Sequence, residues 1–387
     1  MIEVFYFFYF QAVAIYMAFM PAYLRGLGLT GREISTVFAI PPLLALAVPL
    51  GWAALADRTR RHDRVLRIVV GGACLGFVPL LFARSFAAIL IGWITYAMFS
   101  VSVGSLADAL AVARVRAGAV YGRMRLWGSV GFVVAAVAFG AVLWSRNGAR
   151  NAGADWLVPV AMWLALVAAF IAALPLRGTG EGSARPRAAD VKALFAQPRL
   201  LLVLLAAALH WICLTPYNIY LGIFLRDLGL PPPLWGLAYA TGTVAEVAVL
   251  ALFRRLEARF PLDVLLAFAF AGSAVRWLAI AALDAPWALI AVQTLHGLSF
   301  GLFWSAAIAL ISATVPGSLR ATGQALLIIS INLGGAIGNA VTGRLYDATG
   351  PRLMFVLAAI LEFAPLTVVI LARHRLRARA GLVSSAP

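Results

Sequence analysis

Apolar runs long enough to cross a bilayer follow one another along almost the whole chain, punctuated by charge, glycine and proline. Twelve segments are predicted. The first six fall at about 4–24, 34–56, 66–83, 86–113, 122–145 and 155–176. The other six fall at about 199–225, 233–253, 262–283, 286–313, 320–344 and 352–372. Each approaches the ~20 apolar residues that a spanning helix needs. Between the sixth and seventh lies RGTGEGSARPRAADVKALFAQPR, residues 177–199, the one long polar stretch inside the chain. Its glycine, serine, proline and charge suit a linker. The expectation is an all-α integral membrane protein with a bundle over 1–176, a linker over 177–198, a second bundle over 199–373 and a tail over 374–387.

Composition narrows the class. The 387 residues are 63% hydrophobic and 12% charged, with mean hydropathy +0.95. A soluble protein of this length needs more polar surface. The net charge of +16 invites a nucleic-acid reading, but the arginines cluster in short loops between apolar segments. That distribution marks topology and anionic headgroups instead, so no nucleic-acid partner is expected. With both termini inside, the cytoplasmic segments carry 22 Lys and Arg and the outward loops 8. Cys74 and Cys213 sit in apolar runs and imply no disulfide framework. MIEVFYFFYF has no basic stretch ahead of its apolar run and reads as a retained first span.

Two stretches recur at a shift of 201. Tyr23-Leu24-Arg25-Gly26-Leu27-Gly28-Leu29 returns as Phe224-Leu225-Arg226-Asp227-Leu228-Gly229-Leu230, and the same shift sets Tyr16 on Tyr217 and Gly122 on Gly323. A parallel repeat of six-helix halves is what an alternating-access carrier requires. Nothing indicates an enzyme: Walker, GxGxxG-strand, HExxH and nucleophile-elbow contexts are missing from the sequence.

Three stretches carry a family resemblance: YGRMRLWGSVGF (121–132), LRATGQALLI (319–328) and GRLYDATGPRLMF (343–355). Through them the chain resembles the major facilitator superfamily over essentially its whole length, and within it the 3-phenylpropionate permease group, relatives of the lactose permease. The resemblance implies a multi-pass monomer of the bacterial inner membrane that works without a cofactor, driven by a proton gradient. The superfamily's switch loop between the second and third helices is matched at Asp57, Arg58 and Arg61, with Ala53 and Arg60 standing where its glycines are expected. The fifth segment lacks the Gly-Pro motif of drug–proton antiporters, which tilts the reading toward uptake.

Ionisable residues inside spans cost at least ~2.5–3.5 kcal/mol at the bilayer centre unless they face a partner or water. Here they are Asp108, His210, Glu246, Arg276, His296 and Glu362, with Arg125 near an end. Glu246, Arg276 and His296 lie at similar depth in the eighth, ninth and tenth segments. The lactose permease carries the same types on the same helices. The resemblance therefore implies roles for these three in substrate binding and proton coupling. Ser299 stands where that relative has a proton-carrying glutamate, so Glu246, Asp108 or Glu362 is expected to carry the proton. A static lattice of ion pairs is the competing reading, and His210 reads as a core histidine. The resemblance also implies that Asp108 pairs with Arg125.

Gln293, His296, Phe300 and Phe303 share a face at regular helical spacing. Tyr16 and Tyr217, at matched repeat positions with Gln11 and Asn218 nearby, are the better binding candidates among many aromatics. Asn332 completes the binding set, and no metal site is expected. The substrate is a small organic solute: an aromatic or other organic acid, for which Arg276 or Arg125 is a carboxylate clamp, or a sugar or nucleoside. Efflux, or a non-transporting receptor or assembly protein on the same fold, are the alternatives.

Overall fold

A computed structural model of the chain describes residues 1–115, 120–148, 155–178, 194–195, 197–371 and 373. These are helical throughout their long elements. α1 (Ile2–Ala18) and α2 (Met20–Gly26) form a bent pair, followed by α3 (Gly31–Thr59), α4 (His62–Phe82), α5 (Phe86–Val115), α6 (Tyr121–Arg146) and the shorter α7 (Leu157–Ala173). After residue 194 come α8 (Pro198–Asp227), α9 (Pro232–Glu257), α10 (Leu262–Ala282), α11 (Pro286–Thr314) and α12 (Arg320–Leu371). Among the described residues nine helices are long and apolar enough to cross a membrane, or ten with the bent pair counted as one.

The eleventh and twelfth predicted segments are run together in α12, whose 52 residues exceed any single crossing. Gly350 divides it: φ 76° and ψ 173° lie outside the helical region, in backbone that glycine adopts readily. Pro351 then starts the second limb. Elsewhere prolines set the breaks. Pro21 has no N–H to donate back to the preceding turn, and α1 and α2 meet at 42°. Pro216 opens a π-helical turn over Pro216–Tyr220 inside α8. α11 runs through a 3₁₀ turn, Val292–Leu295, into a π turn, Gly297–Leu302.

The helices before residue 178 and those after 194 pack mainly within their own halves, with α6 against α9 and α3 against α12 joining the two. The ends of the molecule differ. At the end bearing the α2–α3, α8–α9 and Gly350 turns, one apolar core crosses both halves. Phe19, Phe38, Trp93 and Phe139 mingle there with Tyr217, Tyr220, Trp235 and Phe355. At the opposite end each half keeps a core of its own, around Tyr6, Leu66 and Leu110 in one and Leu200, Phe270 and Leu310 in the other.

Hydrogen bonds between the halves cluster at the fused end. Asp347 of α12 accepts the backbone N–H groups of Gly31 and Arg32, both at 2.8 Å. Those are the first-turn donors of α3 that its own Thr30–Glu33 capping box leaves over. Tyr220 donates to the Gly31 carbonyl at 2.7 Å, so Ser35, 2.8 Å from the same hydroxyl, is the donor to it. Asn339 reaches the Phe38 carbonyl at 2.8 Å. Gly31 and Gly343 face each other at the α3–α12 crossing, where a side chain on either would collide with the opposing backbone.

Candidate functional site

Arg276 on α10 organises the site. Its side chain is fully buried, yet among the described residues no carboxylate lies within ion-pair distance of it. Nη1 donates to His296 Nδ1 and to Ser299 Oγ, each at 3.0 Å, and Nη2 donates to Gln293 Oε1 at 2.6 Å. The guanidinium carbon lies 4.0 Å from the centre of the Tyr217 ring and 4.9 Å from that of Trp277. Nε is buried without a hydrogen-bond partner.

Because an arginine N–H only donates, His296 Nδ1 is the bare nitrogen and the ring proton sits on Nε2. That Nε2 faces Glu246 Oε2 of α9 at 3.8 Å. Glu246, His296 and Arg276 thus form a line, as expected from their common depth. Glu246 is its solvent-facing end, with 23% of its side chain exposed against none for Arg276.

The irregular backbone of α11 explains the convergence. The 3₁₀ and π turns bring Gln293, His296 and Ser299, three residues apart, onto one guanidinium. π turns recur where side chains must be re-aimed. Of the two aromatics expected on the face of His296, Phe300 is found there and Phe303 is not. Phe300 stacks on His296 with ring centres 5.3 Å apart, but Phe303 turns away onto His210 at 4.5 Å.

Glu362, from the second limb of α12, lies deeper. It meets His210 Nδ1 at 2.9 and 3.0 Å and accepts from Trp277 Nε1 at 3.3 Å. His210 Nε2 donates to the Ser299 carbonyl at 2.8 Å. His210 and Glu362 are both sealed, with no side-chain exposure. His210 is therefore half of a buried polar pair, not a bystander in the core.

In the first half Asp108 accepts from Tyr6 Oη at 2.5 Å. Arg125 lies over the Phe10 ring at 4.0 Å and the Tyr6 ring at 5.6 Å. The direct Asp108–Arg125 pair is not formed, because rings from α1 occupy the guanidinium and Tyr6 takes the carboxylate. Tyr121 lies within reach of both groups. Arg123 is exposed beside Trp127, as suits a residue at a membrane boundary.

Tyr16 is half-buried and stacks on Trp93, ring centres 5.8 Å apart at 20°. Trp93 also contacts Phe38 and Tyr96, and its indole N–H is buried without a partner. No sequence signal singled it out among eleven tryptophans. Gln11 and Asn218 are half-buried. Asn332 donates to Ile328 of its own helix at 2.9 Å and does not join the Arg276 cluster. Across the junction of α3 and α4, Asp57 in the last turn of α3 meets His62 at the start of α4 at 3.2 Å, while Arg58 and Arg61 are exposed. Arg60, at one expected glycine, adopts φ 54°, the left-handed backbone that glycine would take most readily.

A helical membrane protein whose two halves share a core at one end and keep separate cores at the other, with a cluster of charged and polar side chains in each half, has the build of a secondary carrier. Comparison with known proteins agrees: the MFS_1 like family model matches residues 1–357, and the chain belongs to this family of the major facilitator superfamily. It is a transporter of the superfamily and not an enzyme. The chain is 28% identical to the maltose permease of Geobacillus stearothermophilus, over 96% of this chain and 94% of that one. It is 30% identical to the probable 3-phenylpropionic acid transporter of Escherichia coli (strain K12), over 92% and 93% respectively. In fold it resembles the crystal structure of the nucleoside transporter NupG, with a TM-score of 0.84 and 14% identity over 96% of this chain and 98% of that one.

Proposed function

We propose that the protein imports a small organic acid together with protons, by alternating access around a mid-membrane site. The observation that carries this reading is Arg276: a fully buried cation whose hydrogen-bond partners are all neutral. An unpaired buried charge costs several kcal/mol, and the rings of Tyr217 and Trp277 return only about 2 kcal/mol each at most. A carboxylate entering from the cavity completes the charge balance, and the unpartnered Nε supplies a further donor. The relative named for 3-phenylpropionic acid supports the same class. A sugar or nucleoside is the second reading, favoured by the maltose permease relative and by Gln293 at the site.

Glu246 is the proton carrier in this reading. It is the exposed end of the Glu246–His296–Arg276 line, where a proton reaches it from the cavity and its charge is felt at the clamp through the imidazole. In this reading Tyr16, Gln11, Asn218, Asp108 and Arg125 flank the approach from α1, α8, α5 and α6, and Tyr217 supports the clamp from beneath Arg276. The chain crosses the bacterial inner membrane twelve times as a monomer, with both limbs of α12, α7 and the bent α1–α2 pair each counted as one span. The arginine asymmetry supports a cytoplasmic location for both termini. The fused end is then outside and the site opens inward, with the Asp57 loop on the open side.

Proteoliposomes with an imposed inward proton gradient test this with 3-phenylpropionate, maltose and a nucleoside as probes. Gradient-driven uptake of the acid is expected, and Glu246→Gln brings it down to the rate without a gradient. Uptake of maltose or nucleoside without the acid overturns the substrate class. Gradient-driven extrusion overturns the direction, and no flux of any probe favours the receptor alternative.

A further inference from the structure

His210 and Glu362 take no part in the line from Glu246 to Arg276, yet they touch its framework at one point, Ser299. A π turn leaves main-chain carbonyls without their usual helical partners. The Ser299 carbonyl, inside the π turn of α11, is taken by His210 Nε2 of α8 at 2.8 Å. The hydroxyl of the same residue accepts from Arg276. One residue thus ties the sealed pair to the anion clamp. Trp277 makes a second tie: its N–H donates to Glu362, while Arg276 lies against its ring.

The hydrogen-bond geometry fixes the proton count. A carbonyl only accepts, so His210 Nε2 carries a hydrogen. Nδ1 faces a carboxyl group at 2.9 Å, and that contact is attractive only with a proton between them, carried either by the imidazole or by the acid. In both forms the pair is neutral overall. Without that proton the bare Nδ1 lone pair would face carboxylate lone pairs in a sealed site, and the contact would open.

We propose that His210 and Glu362 are positioning residues that pin the π turn of α11, and through Ser299 the Arg276 clamp, by one shared proton. The inference rests on Arg276 being the anion clamp. The ionisable groups around the pair are Cys213 on α8, Arg276 on α10 and His296 on α11, with Glu246 of α9 beyond His296. Ser273 of α10 and the rings of Phe270 and Phe303 complete the surroundings. The carboxyl of Glu362 therefore reaches Ser299 of α11 only through the imidazole of His210, one ring away on a different helix.

Two measurements on the purified full-length protein test the pin. The first needs no ligand: ¹⁵N-histidine NMR in liposomes, with four histidines in the chain and His210 assigned by signal loss in His210→Gln. Protonated Nε2 is expected, with Nδ1 either protonated or shifted as an acceptor from the protonated acid; an Nδ1 with the shift of a nitrogen free of any hydrogen bond at every pH overturns the proposal. The second is 3-phenylpropionate binding between pH 5.5 and 8.5. His210→Ala is expected to weaken binding about tenfold to a hundredfold, the scale on which displaced positioning costs affinity. Glu362→Gln mimics the protonated acid and is expected to flatten the pH dependence of binding, with partial return of the slope in Glu362→Asp.

Binding by a folded His210→Ala protein with unchanged affinity overturns the pin. Superimposable pH curves for wild type and Glu362→Gln do so as well, and they decide the matter if His210→Ala does not fold. If the wild type binds no acid, the anion-clamp reading fails, and the NMR measurement still decides whether the shared proton exists.

Discussion

Arg125 and Arg276 each hold their guanidinium carbon 4.0 Å from the centre of an aromatic ring, Phe10 for the first and Tyr217 for the second. Each ring comes from the first long helix of its half. The surroundings then diverge. Arg125 is half-buried near the end where the halves keep separate cores, so water and salt screen it. Arg276 is sealed, and its hydrogen-bond partners are neutral. The same cation over the same kind of ring is a mild contact in one place and a strong demand for an anion in the other.

Substitutions can break this contrast. Arg276→Gln is expected to have the largest effect, with 3-phenylpropionate binding lost by a hundredfold or more, equivalent to about 3–5 kcal/mol for a buried charge partner. Tyr217→Leu comes next. Removing the ring beneath a desolvated guanidinium costs up to about 2 kcal/mol, or roughly thirtyfold in the same binding assay. Arg125→Gln is expected to cost about fivefold, the scale of a partly exposed charge. Phe10→Leu is smallest, about threefold, since cation–π contacts at wetter sites are worth about 0.5–1 kcal/mol. An Arg125→Gln protein that binds more weakly than Arg276→Gln would reverse the comparison and move the clamp to the first half. Equal losses for Tyr217→Leu and Phe10→Leu would show that burial does not separate the two arginines.

Much of the fold is legible in the sequence because lipid imposes so simple a rule on it: apolar runs with charge at their ends. The predicted segment 86–113 and the observed Phe86–Val115 differ by two residues. The predicted gap between 344 and 352 contains Gly350, where a single non-helical residue separates the two limbs of α12. Glu246, Arg276 and His296 were legible as a group, since depth alone brings them together. Ser299, Trp93 and the role of His210 were not. Ser299 reaches Arg276 only because α11 leaves regular geometry over Val292–Leu302, and spacing arguments assume 3.6 residues per turn. Phe303 is misplaced for the same reason. Asp108 and Arg125 have the right depth and types to pair, but nothing in their spacing reveals that Tyr6 takes the carboxylate and Phe10 the guanidinium.

The core shared by both halves at one end has a calorimetric consequence. In the alternating-access cycle proposed above that end has to part, which wets Phe19, Phe38, Trp235 and their neighbours. Exposing apolar surface raises heat capacity by about 0.45 cal/K/mol for each Å². The transition between the two states therefore carries a heat-capacity change of its own. Where that step limits turnover, the logarithm of the transport rate bends against reciprocal temperature, without any melting of the protein.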